Sequence, residues 1–337
     1  MLPSEVELRS YSPADEFAVA DQNRVFGFQD FRQIDPTSPL IDAIYIPTQQ
    51  HRPELATPMA TLLKHAKSVH ILCSGVAPTW ARYDSNVVVW ENLSTYFDTD
   101  AFIRLPGNAN SSSSILPEFD IPEKRQFALE RSRNLGLHNI GLLDDDITLS
   151  DEDLLAARSS LSDHAAATFY VLGHPDVSTL DHIERIVMRT KSRVSPGGSS
   201  LFLRVEQATG RFPKIYNEDW IFLLQQQRSE NPIAVGIARQ RPRMPYRADG
   251  ATRFEQLGDL LAEGMKARAE QDFDPMGGDI DFWNSIRRKQ VRRVEGLLAL
   301  SEDQRITRAL DAAREEINSI NPRELVGLVN TYSKETV

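Results

Sequence analysis

Three aspartates, Asp144, Asp145 and Asp146, follow directly on the aliphatic run Ile140, Gly141, Leu142, Leu143. A strand that ends in carboxylates sets them at the mouth of a sheet instead of in its middle. Side chains alternate across a strand, so Asp144 and Asp146 tend to one side and Asp145 to the other. Two carboxylates a few ångströms apart repel unless a proton or a cation separates them. Mg²⁺ and Mn²⁺ favour oxygen ligands and commonly keep only one or two protein carboxylates, taking the rest from substrate phosphates. Asp-x-Asp therefore suits a metal-bridged diphosphate. Taken alone, the triplet is also an acidic turn leading into a helix N-terminus, where aspartate is favoured anyway.

A second acidic pair, Glu218 and Asp219, opens the otherwise apolar segment NEDWIFLLQQQR. Asn217 is a natural N-cap there, and capping with dipole compensation is the plain alternative to catalysis. Pro47 and Thr48 end the run DAIYIPTQ, and Arg52, next to His51, follows where a nucleotide or phosphate could meet it. Arg131 and Arg133 in RSRNLGL come near the start of the acidic strand. The arginine-rich RQRPRMPYR supplies Arg243 and Arg247, which suit charge-assisted phosphate contacts or simply a basic solvated loop.

The elements that must position these groups alternate in type. Residues 1–40 show no sustained period and are expected to form an N-terminal arm. From residue 42, short apolar runs (DAIYIPTQ, SVHILCSG, NVVVWENL, IGLLDDD, AATFYVLG and the Gly-led GGSSLFLRVE) read as strands separated by helical stretches. The helix before the acidic strand has Pro122 in its first turn and Gly136 to end it, and the helix after it has Ser150 as N-cap. Residues 107–114, GNANSSSS, read as a flexible surface loop, and beyond about residue 252 every segment is compatible with amphipathic helices. Strands alternating with helices imply a largely parallel sheet covered on both faces, which binds ligands at the carboxyl ends of its strands.

With 337 residues, 41% hydrophobic and 26% charged, the chain can bury a sizeable core. Its net charge of -10 argues against a broad nucleic-acid-binding surface. One cysteine, Cys73, excludes an internal disulfide framework, and the seven histidines show no paired metal-ligand spacing. No apolar run reaches the ~18 residues of a membrane span and the first residues lack signal-peptide order, so a cytoplasmic protein is expected.

In their order and spacing, IPTQQHR, SRNLGLHNIGLLDDDI, GGSSLFLR and NEDWIFLLQQ resemble an inverting glycosyltransferase of the GT-A fold, family 2 type, over roughly residues 42–230. The resemblance implies an α/β, Rossmann-like, mostly parallel mixed sheet flanked by helices, with a GT-A catalytic domain over residues 41–250 and a helical C-terminal extension over 251–337. It implies a nucleotide-sugar donor, a UDP- or GDP-sugar, held with Mn²⁺ or Mg²⁺; the lack of a membrane span or membrane-surface helix in the sequence favours a small-molecule or protein acceptor over a lipid-linked one. Pro47, Thr48 and Arg52 would line the nucleotide pocket with Arg133 close by. Asp144 would face the ribose or the metal and Asp146 would bind the metal, and Asp145, turned to the other side by alternation, is counted with the donor-binding residues. Asp219 would be the general base, with Glu218 orienting acceptor or base. In such a displacement a carboxylate assists the attacking hydroxyl while the metal neutralises the departing diphosphate.

The chain departs from the family pattern in two places. CSGVAP, with Ser74 and Gly75, stands where the family often has an acidic turn that contacts the base, and no histidine follows His182 to serve the metal, for which Asp249 is a candidate replacement. Two other classes stay open. A nucleotidyltransferase would usually carry a Gly-rich phosphate loop, which IPTQQHRP lacks, and a degenerate binding or scaffold protein would act through its C-terminal helices, which could equally build a homo-oligomer interface.

Overall fold

Runs apolar on both faces, as strands covered by helices must be, make the centre of the sheet: β2 (Ala43–Thr48) and β3 (Val69–Cys73) are buried at every position. The computed structural model describes residues 27–28, 35–48, 55–77, 85–93, 120–172, 178–188, 196–230, 232–240 and 253–334. The further strands are β1 (Gly27–Phe28), β4 (Val87–Trp90), β5 (Asn139–Leu143), β6 (Ile147–Thr148), β7 (Ala166–Leu172), β8 (Pro196–Arg204) and β9 (Ile233–Gln240). Among the described residues they form one sheet in the order β1-β9-β7-β8-β5-β2-β3-β4, with β6 paired to β9 off this row. β2 runs parallel to β3 and β5, β3 to β4, and β9 to β7 and β1, whereas β8 runs against both β5 and β7.

Helices cover both faces. On one lie α1 (Met59–His65) and α3 (Asp151–Ser160), whose Leu62, Leu154 and Ala157 join Ile44, Ile46, Ile71 and Phe202 in one core cluster. On the other lie α2 (Ile121–Asn134), α4 (Thr179–Met188) and α5 (Glu218–Gln226), then α6 (Arg253–Ala269), α7 (Ile280–Leu300), α8 (Gln304–Ser319) and α9 (Pro322–Lys334). The buried stripes of these last four are turned inward: Leu261, Trp283, Leu310 and Val329 belong to the same cluster as Tyr45, Leu142 and Leu201 of the sheet. Residues 253–334, the described part of the extension expected over 251–337, thus share the core of the residues before them.

Local signals act largely as the sequence suggests. Ser150 Oγ accepts from Asp153 N, and Asp153 Oδ2 accepts from Ser150 N, so α3 starts in a complete capping box. α2 carries Pro122 in its first turn, and Gly136 follows its end at φ +65°. Three differences stand out. The strand β9 falls on IAVGIARQ, a segment not foreseen as a strand, and lies inside the sheet. The N-terminal forty residues contribute β1 to that sheet, and Arg158 and Ser159 of α3 hold residues 35–38 by hydrogen bonds. Asn217 occupies the N-cap position of α5 but makes no side-chain cap, because its amide donates to Asp259 Oδ1 at 2.8 Å instead. Residues 107–114 lie outside the described residues.

Candidate active site

The directions of the elements bring one set of side chains to one end of the sheet. β2, β3 and β5 run parallel, so Thr48, Ser74 and Asp144 to Asp146 emerge together at their carboxyl ends. β8 is antiparallel to β5, so its beginning, Gly198 and Ser199, lies at the same end, where Asp144 N donates to Ser199 O at 2.8 Å. The N-terminal turn of α2 adds Asp120, Lys124 and Arg125, and the first turn of α5 adds Glu218 and Asp219.

Arg125 joins the two acidic clusters. Its Nη2 donates to Asp144 Oδ1 at 2.7 Å and its Nη1 to Glu218 Oε1 at 2.7 Å, while Asp219 Oδ2 stands 3.8 Å from Nη1. The guanidinium is 4% exposed. Burial works against its charge, yet Asp144, Glu218 and Asp219 together hold its pKa above the ordinary arginine value. One cation does not balance these acids. Burial, added to by the charges of Asp146 and Asp219 and opposed by Arg125, pushes Asp144 up to about 7. Burial with the Asp219 charge, again opposed by Arg125, pushes Glu218 up to about 8. Asp144 keeps 21% of its side chain exposed and Glu218 4%, so a proton or an incoming cation reaches Asp144 first.

Asp219 is held by the main chain. Its Oδ2 accepts from Gly198 N at 3.1 Å and its Oδ1 from Trp220 N at 2.9 Å, with 19% of the side chain exposed. Gly198 is required for this approach, because a Cβ there would come within 2.2 Å of Asp219 Cβ. Asn217, just before the pair, has φ +61°, and the left-handed residue turns the chain abruptly into α5.

The three aspartates lie in the turn between β5 and β6 and face three different partners. Asp144 meets Arg125 on the α2 side, whereas Asp145 turns to β2 and accepts from Thr48 Oγ1 at 2.7 Å. Asp146 is fully buried and accepts from Gln240 Nε2 at 3.3 Å. Among the described residues no group of three or more His, Cys, Asp or Glu side chains is arranged to hold a metal ion. The Asp146 charge acts on Asp144, but the Asp146 side chain is fully buried against Gln240, so Asp144 is the carboxylate of the two that a Mg²⁺ or Mn²⁺ ion could approach from solvent.

Not every expected residue belongs here. Pro47 is buried within β2 opposite Leu72. Arg133 lies eight positions beyond Arg125 along α2, ~12 Å at 1.5 Å per residue. It donates to Ala208 O at 2.6 Å and lines a separate cavity with Glu130, His138 and Arg211 at the other end of the helix. The structure does not join Arg133 to the acidic cluster. Arg52, Arg243, Arg247, His51 and Asp249 lie outside the described residues.

Asp120, Lys124 and Arg125 were not singled out from the sequence. The available signal was charge balance, since two acidic clusters converging at one sheet end call for a buried cation, and EKR opens the helix between them. No family model matches the chain, and no curated protein sequence matches it.

Proposed function

We propose that this chain is a glycosyltransferase of the GT-A type that moves a sugar from a nucleotide-sugar donor to an acceptor hydroxyl with inversion. The observation that carries this reading is the meeting of Asp144–Asp146 and Glu218–Asp219 around Arg125 at the carboxyl end of a mixed, helix-flanked sheet. Asp219, partly exposed and oriented by two backbone N–H groups, is the base that takes the acceptor's proton as the acceptor oxygen bonds to the anomeric carbon. The bond from that carbon to the diphosphate oxygen breaks, and its electron pair leaves with the nucleoside diphosphate. Glu218 and Arg125 keep Asp219 in place. Asp144, with the charge of Asp146 behind it, would hold a Mg²⁺ or Mn²⁺ ion, which when bound would neutralise charge on the departing diphosphate.

The test is thermal unfolding of the full chain with UDP, GDP, CDP or dTDP, each with and without Mn²⁺. A nucleotide at ~100 times its Kd stabilises the folded state by ~2.7 kcal/mol, so at least one of these should raise Tm clearly. If none does in either condition, the reading fails. Asp219→Asn should keep that shift and lose turnover by ~10²- to 10⁴-fold with any donor and acceptor pair that the wild type uses.

A further inference from the structure

We propose that the cavity at the C-terminal end of α2 is a second ligand site, for a small organic anion whose acidic head lies between Arg133 and Arg211 and whose body rests on Leu137, Val205 and Ala208. The cavity stands at the end of the sheet away from the acidic clusters, and the proposal does not depend on the glycosyltransferase reading.

Its position follows from strand direction. Leu137 and His138 precede β5, and Val205 follows β8, which runs against β5, so these residues flank the end of the sheet opposite Asp144. The cavity has a volume of roughly 730 Å³, within the ~300–1,000 Å³ of small-molecule sites. One wall is the face of α2 that carries Gln126, Glu130 and Arg133, which follow one another at four and three residues. The other wall is the segment 205–211.

Both walls are fixed from within. Thr209 N donates to Gln226 Oε1 at 3.0 Å and Arg211 N to Gln225 Oε1 at 2.8 Å, and both glutamines are buried. Phe212 N donates to Gln126 Oε1 at 3.0 Å, and Arg133 Nη2 to Ala208 O at 2.6 Å, which ties one wall to the other. His138 N donates to Asp42 Oδ2 at 2.7 Å, which holds the turn between α2 and β5. A site whose walls are set before a ligand arrives loses less conformational freedom on binding.

Charge then selects the ligand. Glu130 Oε1 accepts from Gln126 Nε2 at 2.7 Å and stands 3.5 Å from Arg211 Nη2, while Glu206 pairs with Arg204 at 3.2 Å. Both carboxylates are thus engaged by the protein itself. A guanidinium has five N–H donors, and among the described residues Arg133 uses only Nη2, toward Ala208 O. Partial desolvation and the charge of Arg211, opposed by Glu130, lower the Arg133 pKa from its ordinary value, so an anion between the two guanidiniums would relieve both. Counting Arg204, three cations surround the cavity against two anions, which favours an acid over an amine. Guanidinium forks match the paired oxygens of carboxylates and phosphates. Val205 and Ala208 are buried and Leu137 half-buried, so the lining also offers apolar surface that an inorganic ion would leave unused.

The experiment follows the isotopically labelled methyl resonances of Leu137 and Val205 in the full chain during titration with phenyl phosphate, benzoate, inorganic phosphate, benzyl alcohol or benzamidine. Phenyl phosphate or benzoate should shift both resonances saturably, and the order of the two acids distinguishes a phosphate head from a carboxylate. A hydrogen bond to a charged group corresponds to about a 10- to 100-fold change in Kd, and Arg133→Gln and Arg211→Gln should each weaken binding by about that factor. Both arginines are exposed, so neither change removes core packing. An equal response to benzyl alcohol or benzamidine would overturn the acidic head, and an equal response to inorganic phosphate would overturn the apolar body. Unchanged affinity in either variant, or no saturable shift with either acid in the millimolar range, would overturn the site. None of these outcomes touches the nucleotide-induced stabilisation that tests the proposed function.

Discussion

Arg125 is a guanidinium closed off from solvent, with Asp144 on one terminal nitrogen and Glu218 on the other. Removing one partner of a buried ion pair leaves uncompensated charge, which costs ~3–5 kcal/mol. Arg125→Met should therefore be destabilised by about that much in urea unfolding. The penalty should also vary with pH in a fixed direction. Asp144 at about 7 and Glu218 at about 8 have folded pKa values above the ordinary carboxylate range, so their contribution to stability is present at low pH and lost as pH rises through those values. Without Arg125 both rise further, and the variant's deficit should be smallest near pH 5 and largest near pH 8. His70 gives the opposite trend. Trp90 Nε1 donates to its Nδ1 at 3.2 Å, which leaves Nε2 to carry the proton toward Ser68 Oγ at 3.1 Å, and burial followed by the Arg131 charge lowers its pKa to about 4. The unfolded chain binds this proton from pH 6.5 downward, so stability is lost as pH falls from 6.5 toward 4. In His70→Gln the urea midpoint should fall less steeply over that window. The acidic clusters were legible in the sequence because charge directly behind an apolar run breaks the expected pattern. Arg125 and Lys124 were not, because charged residues on a helix are ordinarily its solvated face, and only the partners brought by β5 and α5 reverse that.

The elements that present these side chains depend on close backbone approaches that only glycine permits. α6 lies against the turn before α5, and a Cβ at Gly258 would come within 2.2 Å of Tyr216 O. Asp259, the next residue, holds the Asn217 side chain, so α6 braces the left-handed turn that aims Glu218 and Asp219. Gly296, in the interior of α7, has nothing within 4 Å of the corresponding position. The same change should therefore act with opposite sign at the two sites. Gly258→Ala should cost ~1–3 kcal/mol through overpacking, while Gly296→Ala should stabilise by ~1 kcal/mol through helix propensity. Chemical denaturation of both variants decides this, and equal effects would show that α6 yields freely. Strand β9 explains why periodicity did not foresee every element. IAVGIARQ is a short continuous apolar run, which period alone cannot assign, and its Gly236 weakens a strand reading on propensity. In the fold that glycine is needed, since a Cβ there would stand 2.8 Å from the Phe169 ring.

At the scale of the molecule, the sheet with its flanking helices was legible from alternating element types, and the place of Asp144 to Asp146 from the rule that ligands gather at the carboxyl ends of parallel strands, whereas only the family resemblance set Glu218 and Asp219 beside them. The manner in which the last helices attach was not, because an amphipathic helix records that it has an apolar face and not what covers it. Here that cover is the rest of the chain. Met265, Trp283, Leu310 and Leu325 share one buried cluster with Ala43, Tyr45 and Leu142, and Arg293 of α7 pairs with Asp181 and Glu184 of α4. Chains of 337 residues commonly unfold in more than one step. A core continuous from β2 to α9 instead predicts a single calorimetric transition whose measured enthalpy equals the van't Hoff value. It also predicts that a chain ending at residue 252 has lost the cover of Trp220, Ile221 and Leu224 and shows neither a near-UV signal nor a cooperative melt. Two resolved transitions in the full chain, or a truncated chain that melts cooperatively and still binds the nucleotide bound by the full chain, would establish that residues 253–334 are an appendage and that the candidate site stands without them.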